Sequence, residues 1–384
     1  MDTLRLLLPS LALATLCTAC NREPATTAPN ASATSPTTAA TAAASAASAA
    51  SVASSAPPAA AAAPAAGTQP VNLDNYARAE SDEAFAGSVK IGGFGKFSHN
   101  RELTPLDKQV VIRQNRDTLY SSAVFDLDAG PVTIVLPDSG TRFMSMQVFD
   151  EDQYTHQVAY KPGTYKLDRK GIGTRYAMVA LRILVDPNDP RDLDAVHALQ
   201  DQARAEQPGG PGKFEVPNWD PASRTKIRDA LAVLGDTLPD KSRMFGMPKD
   251  VDPMRRLIGV ATGWGGNPEK EAMYLGYTPT QNDGRTVYRL KVGKDVPVDG
   301  FWSVTVYNAK GYFEANPQNA YSFNNLTAKK DADGGVTLQF GGCDGKVPNC
   351  LPITPGWNYL VRLYRPRAEA LNHAWKFPEA TPVG

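Results

Sequence analysis

The segment FDEDQYTH, residues 149–156, places three carboxylates, a phenol and an imidazole within a few positions of one another. If Asp150 and Asp152 lie on extended chain, their side chains share one face. Two carboxylates so placed can divide the acid and base roles of glycoside cleavage, or they can hold calcium. Asp150, Asp152 and Tyr154 are therefore the catalytic candidates. The same letters also make a good solvated turn, and on composition the turn is the simpler reading. The run NRDTLY, residues 115–120, offers a different chemistry. Arg116 could clamp a carboxylate in two-pronged fashion, Asp117 could orient it, and Asn115 and Tyr120 add hydrogen bonds. An Arg–Asp pair closing a sheet corner needs those same atoms, because buried charges must be paired. In the last hundred residues Trp302, Tyr307 and Asn308 head a crowd of rings and amides of the kind that binds sugars. Alternate rings of such a crowd must face a core.

The sequence lacks several chemistries. There is no G-x-S-x-G elbow, no H-E-x-x-H helix and no phosphate-cradling glycine loop. Of the four histidines, His99 and His156 are acid–base candidates by type alone. The 40 basic and 40 acidic residues cancel, and without basic blocks nucleic acid is not an expected partner. No organic cofactor and no metal site is expected. Zinc at Cys343 and Cys350 would need further N or S ligands.

The elements that must position these residues follow from punctuation and period. Residues 1–20 read as an exported leader. An apolar run from Leu4 to Leu16 is too short to span a bilayer and ends in LCTAC. Small residues before a cysteine resemble a lipobox, which predicts lipidation of Cys20 and a membrane partner through that anchor. Asn21 looks like sorting to the outer membrane, with the body in the periplasm or at the cell surface. Residues 21–70, nearly all Ala, Ser, Thr and Pro, have too little large apolar surface to offset ordering entropy and read as a disordered tether. In an exported protein, Cys343 and Cys350 across a Gly/Pro turn predict a disulfide.

Frequent turns and alternating β-branched and aromatic letters predict a mainly β, α+β protein. The plan is two tandem jelly-roll or sandwich-like units, 71–187 and 281–384, joined by a helical insert, 188–280. The units look duplicated. RFMSMQVFDEDQYT (142–155) aligns without gaps to GFWSVTVYNAKGYF (300–313). GTRYAMVALR (173–182) follows the first and GWNYLVRLYR (356–365) the second, matching through Gly, Tyr and a final Arg. In the insert, Asp189–Pro190, Asp220–Pro221, Asp252–Pro253 and Asn267–Pro268 each read as a helix cap followed by Pro at the first helical position.

The stretches NRDTLYSSAVFDLDAGPVTIVLPD, RFMSMQVFDEDQYT and DPNDPRDLDAVHALQD resemble the bacterial domain-of-unknown-function family 1254. GFWSVTVYNAKGYFEANPQNAYSF and LPITPGWNYLVRLYRP resemble its C-terminal companion, family 1214. The resemblance implies a β-rich architecture of jelly-roll type, similar in outline to peptide-N-glycosidases, and no activity. The expectation is an envelope lipoprotein that binds a small polar or glycan-like compound. If it is also an enzyme, it is a hydrolase of glycosidic or amide bonds. The alternative is a non-enzymatic interaction or assembly module of the envelope.

Overall fold

The computed structural model describes residues 66–109 and 112–383. Cys20, the leader and nearly all of the tether lie outside the described residues.

Helix α1, Tyr76–Lys90, opens the described body. The first β-unit then runs through β1 (Ser98–His99), β2 (Thr118–Asp126), β3 (Val132–Leu136), β4 (Met144–Asp150), β5 (Thr155–Ala159) and β6 (Gly163–Leu167). After the short helix α2 (Arg169–Ile172) come β7 (Tyr176–Leu184), α3 (Pro190–Gln202) and β8 (Arg204–Glu206). Two sheets result, in the orders β1-β2-β7-β4-β5 and β6-β3-β8. They pack face to face over one core that includes Leu119, Phe125, Ile134, Val148 and Leu181. Period two supplies that core, since residues two apart on a strand share a face. All nine residues of β7 are buried. Its other face is covered by α1 and by the loop at Trp264, where Phe85, Tyr176, Met178 and Ala180 cluster.

Helices α4 (Pro221–Gly235) and α5 (Pro253–Gly263) pack with α1 through Tyr76, Leu231, Ile258 and Val260. The second β-unit comprises β9 (Ala272–Tyr277), β10 (Tyr288–Val292), β11 (Trp302–Tyr307), β12 (Ser322–Asn324), β13 (Val336–Phe340), β14 (Cys350–Leu351) and β15 (Asn358–Tyr364). Helix α6 (Ala368–Leu371) and β16 (Thr381–Pro382) close it. Its sheets, β12-β11-β15-β9 and β14-β13-β10-β16, enclose a core around Trp357, Leu290, Val304, Phe340 and Val361. The mainly β, α+β plan holds, as two sandwiches whose named strands pair antiparallel except β13 with β14. Cys343 and Cys350 form the expected disulfide. Among the described residues no helix is long and apolar enough to cross a membrane.

The stretch 188–280 is not one insert. Helix α3 buries Val196 completely and packs Leu193 and Leu199 into the first core, and β8 pairs with β3. β9 pairs along its whole length with β15, so the second unit begins at Ala272 rather than at 281. A three-residue strand carries no legible period, and AMYLGY follows a glycine-rich run that conceals its start. Three of the four Asp/Asn–Pro starts cap helices. Asp189, Asp220 and Asp252 each accept a backbone N–H of the first turn. Asn267–Pro268 opens only a turn before β9, with the N–H of Glu271 and Ala272 bonded to Pro268 O.

The register locates the repeat. Ser145 lies opposite Arg182, and Ser303 lies opposite Arg362. On their other sides, Tyr120 faces Arg182 and Tyr274 faces Arg362. Each unit therefore carries one Tyr–Arg–Ser row across three strands. The matched letters had paired Arg182 with Arg365. The ladder corrects this by three residues, because side-chain direction follows strand register and not letter identity.

Candidate functional site

The acidic segment is a turn. Asp150 Oδ1 accepts the N–H of Asp152 and of Tyr154, each at 2.9 Å, and Oδ2 meets His156 Nε2 at 2.8 Å. In the other unit Asn308 Oδ1 accepts the N–H of Lys310 and of Tyr312, each at 3.0 Å. The two loops share a left-handed residue, Gln153 at φ +64° and Gly311 at +81°. Asp and Asn exchange here because both make this turn with one side-chain oxygen. Since the chain turns at 151–153, Asp152 has left the extended backbone on which Asp150 ends β4, and the shared face that a carboxylate pair requires is absent. Asp152 instead accepts Arg78 Nε and Nη2 at 3.1 and 2.9 Å, and Glu151 accepts the Tyr176 N–H at 2.9 Å. Tyr154 lies beneath the Arg256 guanidinium, 4.3 Å from its ring centre.

One acid beside this turn was not apparent in the sequence. Asp82 on α1 is 1% exposed. Its Oδ2 accepts Trp219 Nε1 at 2.8 Å, while Oδ1 has no partner among the described residues. Burial chiefly, with the charges of Glu151 and Asp152, pushes its pKa up to about 6 against the pull of Trp219 and Arg78. Only a helix stripe that mixes acids with small residues could have signalled it.

The run 113–117 laces the first unit to the second. The Arg113 N–H donates to Gly311 O at 2.8 Å, and Arg113 O accepts Arg362 Nη2 at 2.7 Å. Tyr307 donates its hydroxyl to Gln114 O at 2.8 Å. Asn115 Nδ2 donates to Thr118 Oγ1, Tyr120 OH and Tyr364 OH at 3.3, 3.2 and 3.0 Å. Arg116 and Asp117 do not form the expected pair. Arg116 donates to Thr104 O at 2.8 Å and lies over the rings of Phe313 and Tyr321, 5.5 and 5.0 Å from their centres. Asp117 Oδ1 accepts Ser322 Oγ and Asn324 Nδ2 at 2.9 and 3.2 Å. The run's charge thus turns toward the neighbouring unit and its rings rather than toward solvent.

Of the other predicted binding residues, Trp302 is 6% exposed and packs against Phe377, and Tyr307 is 2% exposed. Asn308 holds its turn and donates to Glu314 at 2.8 Å. Tyr307 and Asn308 line one small hollow of about 10 Å³ with Glu314, Asn316 and Tyr321, and Trp302 is not part of it. A cleft of about 180 Å³ opens instead beside the edge strand β9. Met273, Leu275, Leu363 and Phe377 form its apolar wall, Tyr277 and Trp375 add rings, and His373, Lys376 and Glu379 bring polar groups. Tyr277 stacks on Tyr359 at 4.9 Å and 14°. Burial first, then Glu379, raises the pKa of Tyr277 above the ordinary phenol value. The cleft escaped sequence analysis because β9 was read as part of the insert and the tail beyond β15 has no periodic pattern. The alternation in HAWKF, residues 373–377, was its one signal.

Comparison with known proteins agrees with this architecture. The family model described as protein of unknown function DUF1254 matches residues 94–207, and that described as protein of unknown function DUF1214 matches residues 272–368. The crystal structure of the VPA0106 protein from Vibrio parahaemolyticus is similar in fold, with a TM-score of 0.62 at 18% identity. The match covers 82% of this chain and all of that one. A putative uncharacterized protein from Burkholderia cenocepacia aligns over 81% of this chain and 87% of its own at 11% identity, with a TM-score of 0.45. No curated protein matches the sequence.

Asp82 gives the acidic turn a pH signature. Its folded pKa, about 6, lies above the ordinary 3.8, so its stabilising share is full below that lower value and is lost as pH rises through 6. Asp82→Asn should melt several degrees higher than the parent at pH 8 and flatten the decline between pH 4 and 7. Melting curves of both proteins across that range check this; parallel curves contradict it.

Proposed function

We propose, for this chain of the DUF1254 and DUF1214 families, that it is a binding protein for a small compound with one apolar ring face and a polar edge, a pyranose unit of a glycan being the best fit. The cleft beside β9 carries this reading. Its rings offer the flat surface on which a sugar face stacks, and Lys376, Glu379 and His373 stand where hydroxyls would be met. Its volume is below the roughly 300–1,000 Å³ of ordinary ligand clefts, which favours one ring rather than a long chain. Hydrolysis draws no support from Asp150 and Asp152, since each is engaged by partners within the protein.

The site of action in this reading is the cell envelope, with Cys20 as lipid anchor and residues 21–70 as tether. The leader sequence and a disulfide at Cys343–Cys350, suited to an oxidising compartment, support it. The interaction-module reading keeps one observation in its favour. Val233, Leu234 and Met254 are 67%, 48% and 55% exposed on α4 and at the start of α5.

Calorimetric titration of the purified chain with monosaccharides and short glycans should show saturable binding. Trp375→Ala should weaken that binding about tenfold or more while leaving the melt within a few degrees, because stacking on one ring contributes on the order of 1 kcal/mol or more. Absence of binding across the panel, or binding indifferent to Trp375→Ala, would remove the cleft as the site. Separately, Cys20→Ser should move the protein from the membrane to the soluble fraction, and unchanged fractionation would exclude the lipid anchor.

A further inference from the structure

The seam between the two β-units contains an unmatched positive charge. Arg182 is 6% exposed and donates to Gln147 Oε1 at 2.6 Å and to Gly265 O at 2.7 Å, both neutral acceptors. Among the described residues no carboxylate stands within ion-pair distance of it. Arg362, its counterpart in the second unit, differs. It donates to Thr305 Oγ1, Tyr307 OH and Arg113 O, and it has the Asp117 carboxylate as a charged neighbour. Phenols stand in that place around Arg182: Tyr120, which accepts a hydrogen bond from it and lies under its guanidinium at 5.5 Å, with Tyr274, Tyr364 and Tyr160.

The first three of those phenols are donors in search of an acceptor. Tyr120 OH and Tyr364 OH both accept from the single amide nitrogen of Asn115, at 3.2 and 3.0 Å. Tyr274 OH accepts from the backbone and side-chain nitrogens of Asn267, at 3.2 and 3.0 Å. None of the three hydroxyls donates to an acceptor among the described residues. Burial, with the neighbouring Tyr274 and Tyr120, holds the Tyr364 phenol protonated far above the ordinary tyrosine range. Glu271, close by, already receives the Tyr160 hydroxyl at 2.8 Å. A buried guanidinium without a counter-charge is unfavourable, and so is a buried hydroxyl proton without an acceptor, the case of Tyr364, while Tyr120 and Tyr274 are half-buried. One group satisfies both.

We propose that this seam binds a small oxyanion, of the carboxylate or phosphate class, held by Arg182 and by the hydroxyls of Tyr120, Tyr274 and Tyr364. The site exists only in the assembled chain, because Arg182 and Tyr120 come from the first unit and Tyr274 and Tyr364 from the second. It is independent of the cleft beside β9, so neither can fail on account of the other.

The test titrates the full-length chain with acetate and with inorganic phosphate, against chloride at constant ionic strength, and reads the melting temperature and the heat of binding. The expected result is a saturable rise in melting temperature with one of the two anions. Tyr364→Phe and Tyr274→Phe, which keep the ring and remove only the hydroxyl, should weaken that affinity about tenfold each, as expected for a lost hydrogen bond to a charged group. Trp375→Ala should leave it unchanged. A melt indifferent to both anions, or a response that persists in the two Tyr→Phe variants, overturns the proposal. A preference for acetate assigns a carboxylate ligand, and a preference for phosphate assigns a tetrahedral one.

Discussion

The architecture depends on burying two arginines between two β-sandwiches. Arg182 and Arg362 project from central strands, β7 and β15, and both are almost wholly removed from water. A guanidinium taken out of water costs several kcal/mol unless its donors find acceptors. Gly265 O and Arg113 O are two of those acceptors, so the loops at 264–266 and 113–117 take their courses from the arginines they satisfy. The second loop then carries Asn115, Arg116 and Asp117 to the hydroxyls, amides and rings of the other unit. The polar run that looks out of place beside strand text is thus the lacing of the seam.

Duplication explains why there are two arginines, and divergence explains why they differ. Each unit presents a Tyr–Arg–Ser row across three strands of one of its sheets. Each ends its Ser-bearing strand in the same side-chain-closed turn, made by Asp150 in one unit and Asn308 in the other. In the second unit Asp117 reaches across to balance Arg362. Among the described residues no equivalent acid reaches Arg182, and phenols stand there instead. The first unit also carries β8 on its small sheet and α3 bonded to β2, while in the second a longer connection contains the disulfide.

Most of the fold was legible in the sequence, for identifiable reasons. Period-two strands, Asp–Pro caps and a cysteine pair across a Gly/Pro turn are local signals, and the structure realises each of them. The gapless match of 142–155 to 300–313 also survives, since it reflects a strand and turn kept in both units. What was not legible depends on pairing. Arg182 and Arg362 become equivalent only when strands are laid side by side, and AMYLGY becomes a strand only through β15. The acidic turn shows the same limit. FDEDQYTH has the letters of a catalytic pair, but direction is set by backbone bonds that Asp150 makes to its own loop. Asn115 was singled out by type, and the Tyr364 phenol that meets it lies 249 residues further along the chain. Tyr277 and Trp375 were hidden because a cleft at a sheet edge has no sequence pattern of its own.

Scanning calorimetry of the parent chain and of the Asn115→Ala, Asp117→Ala double variant tests most directly whether the laced seam makes one body of two β-units. The parent should unfold in a single transition whose calorimetric and van't Hoff enthalpies agree, the signature of a cooperative unit. The double variant, which cuts the side-chain bonds to Tyr364, Ser322 and Asn324, should separate into two transitions at lower temperature. Two transitions in the parent, or a double variant that melts as the parent does, would contradict the account.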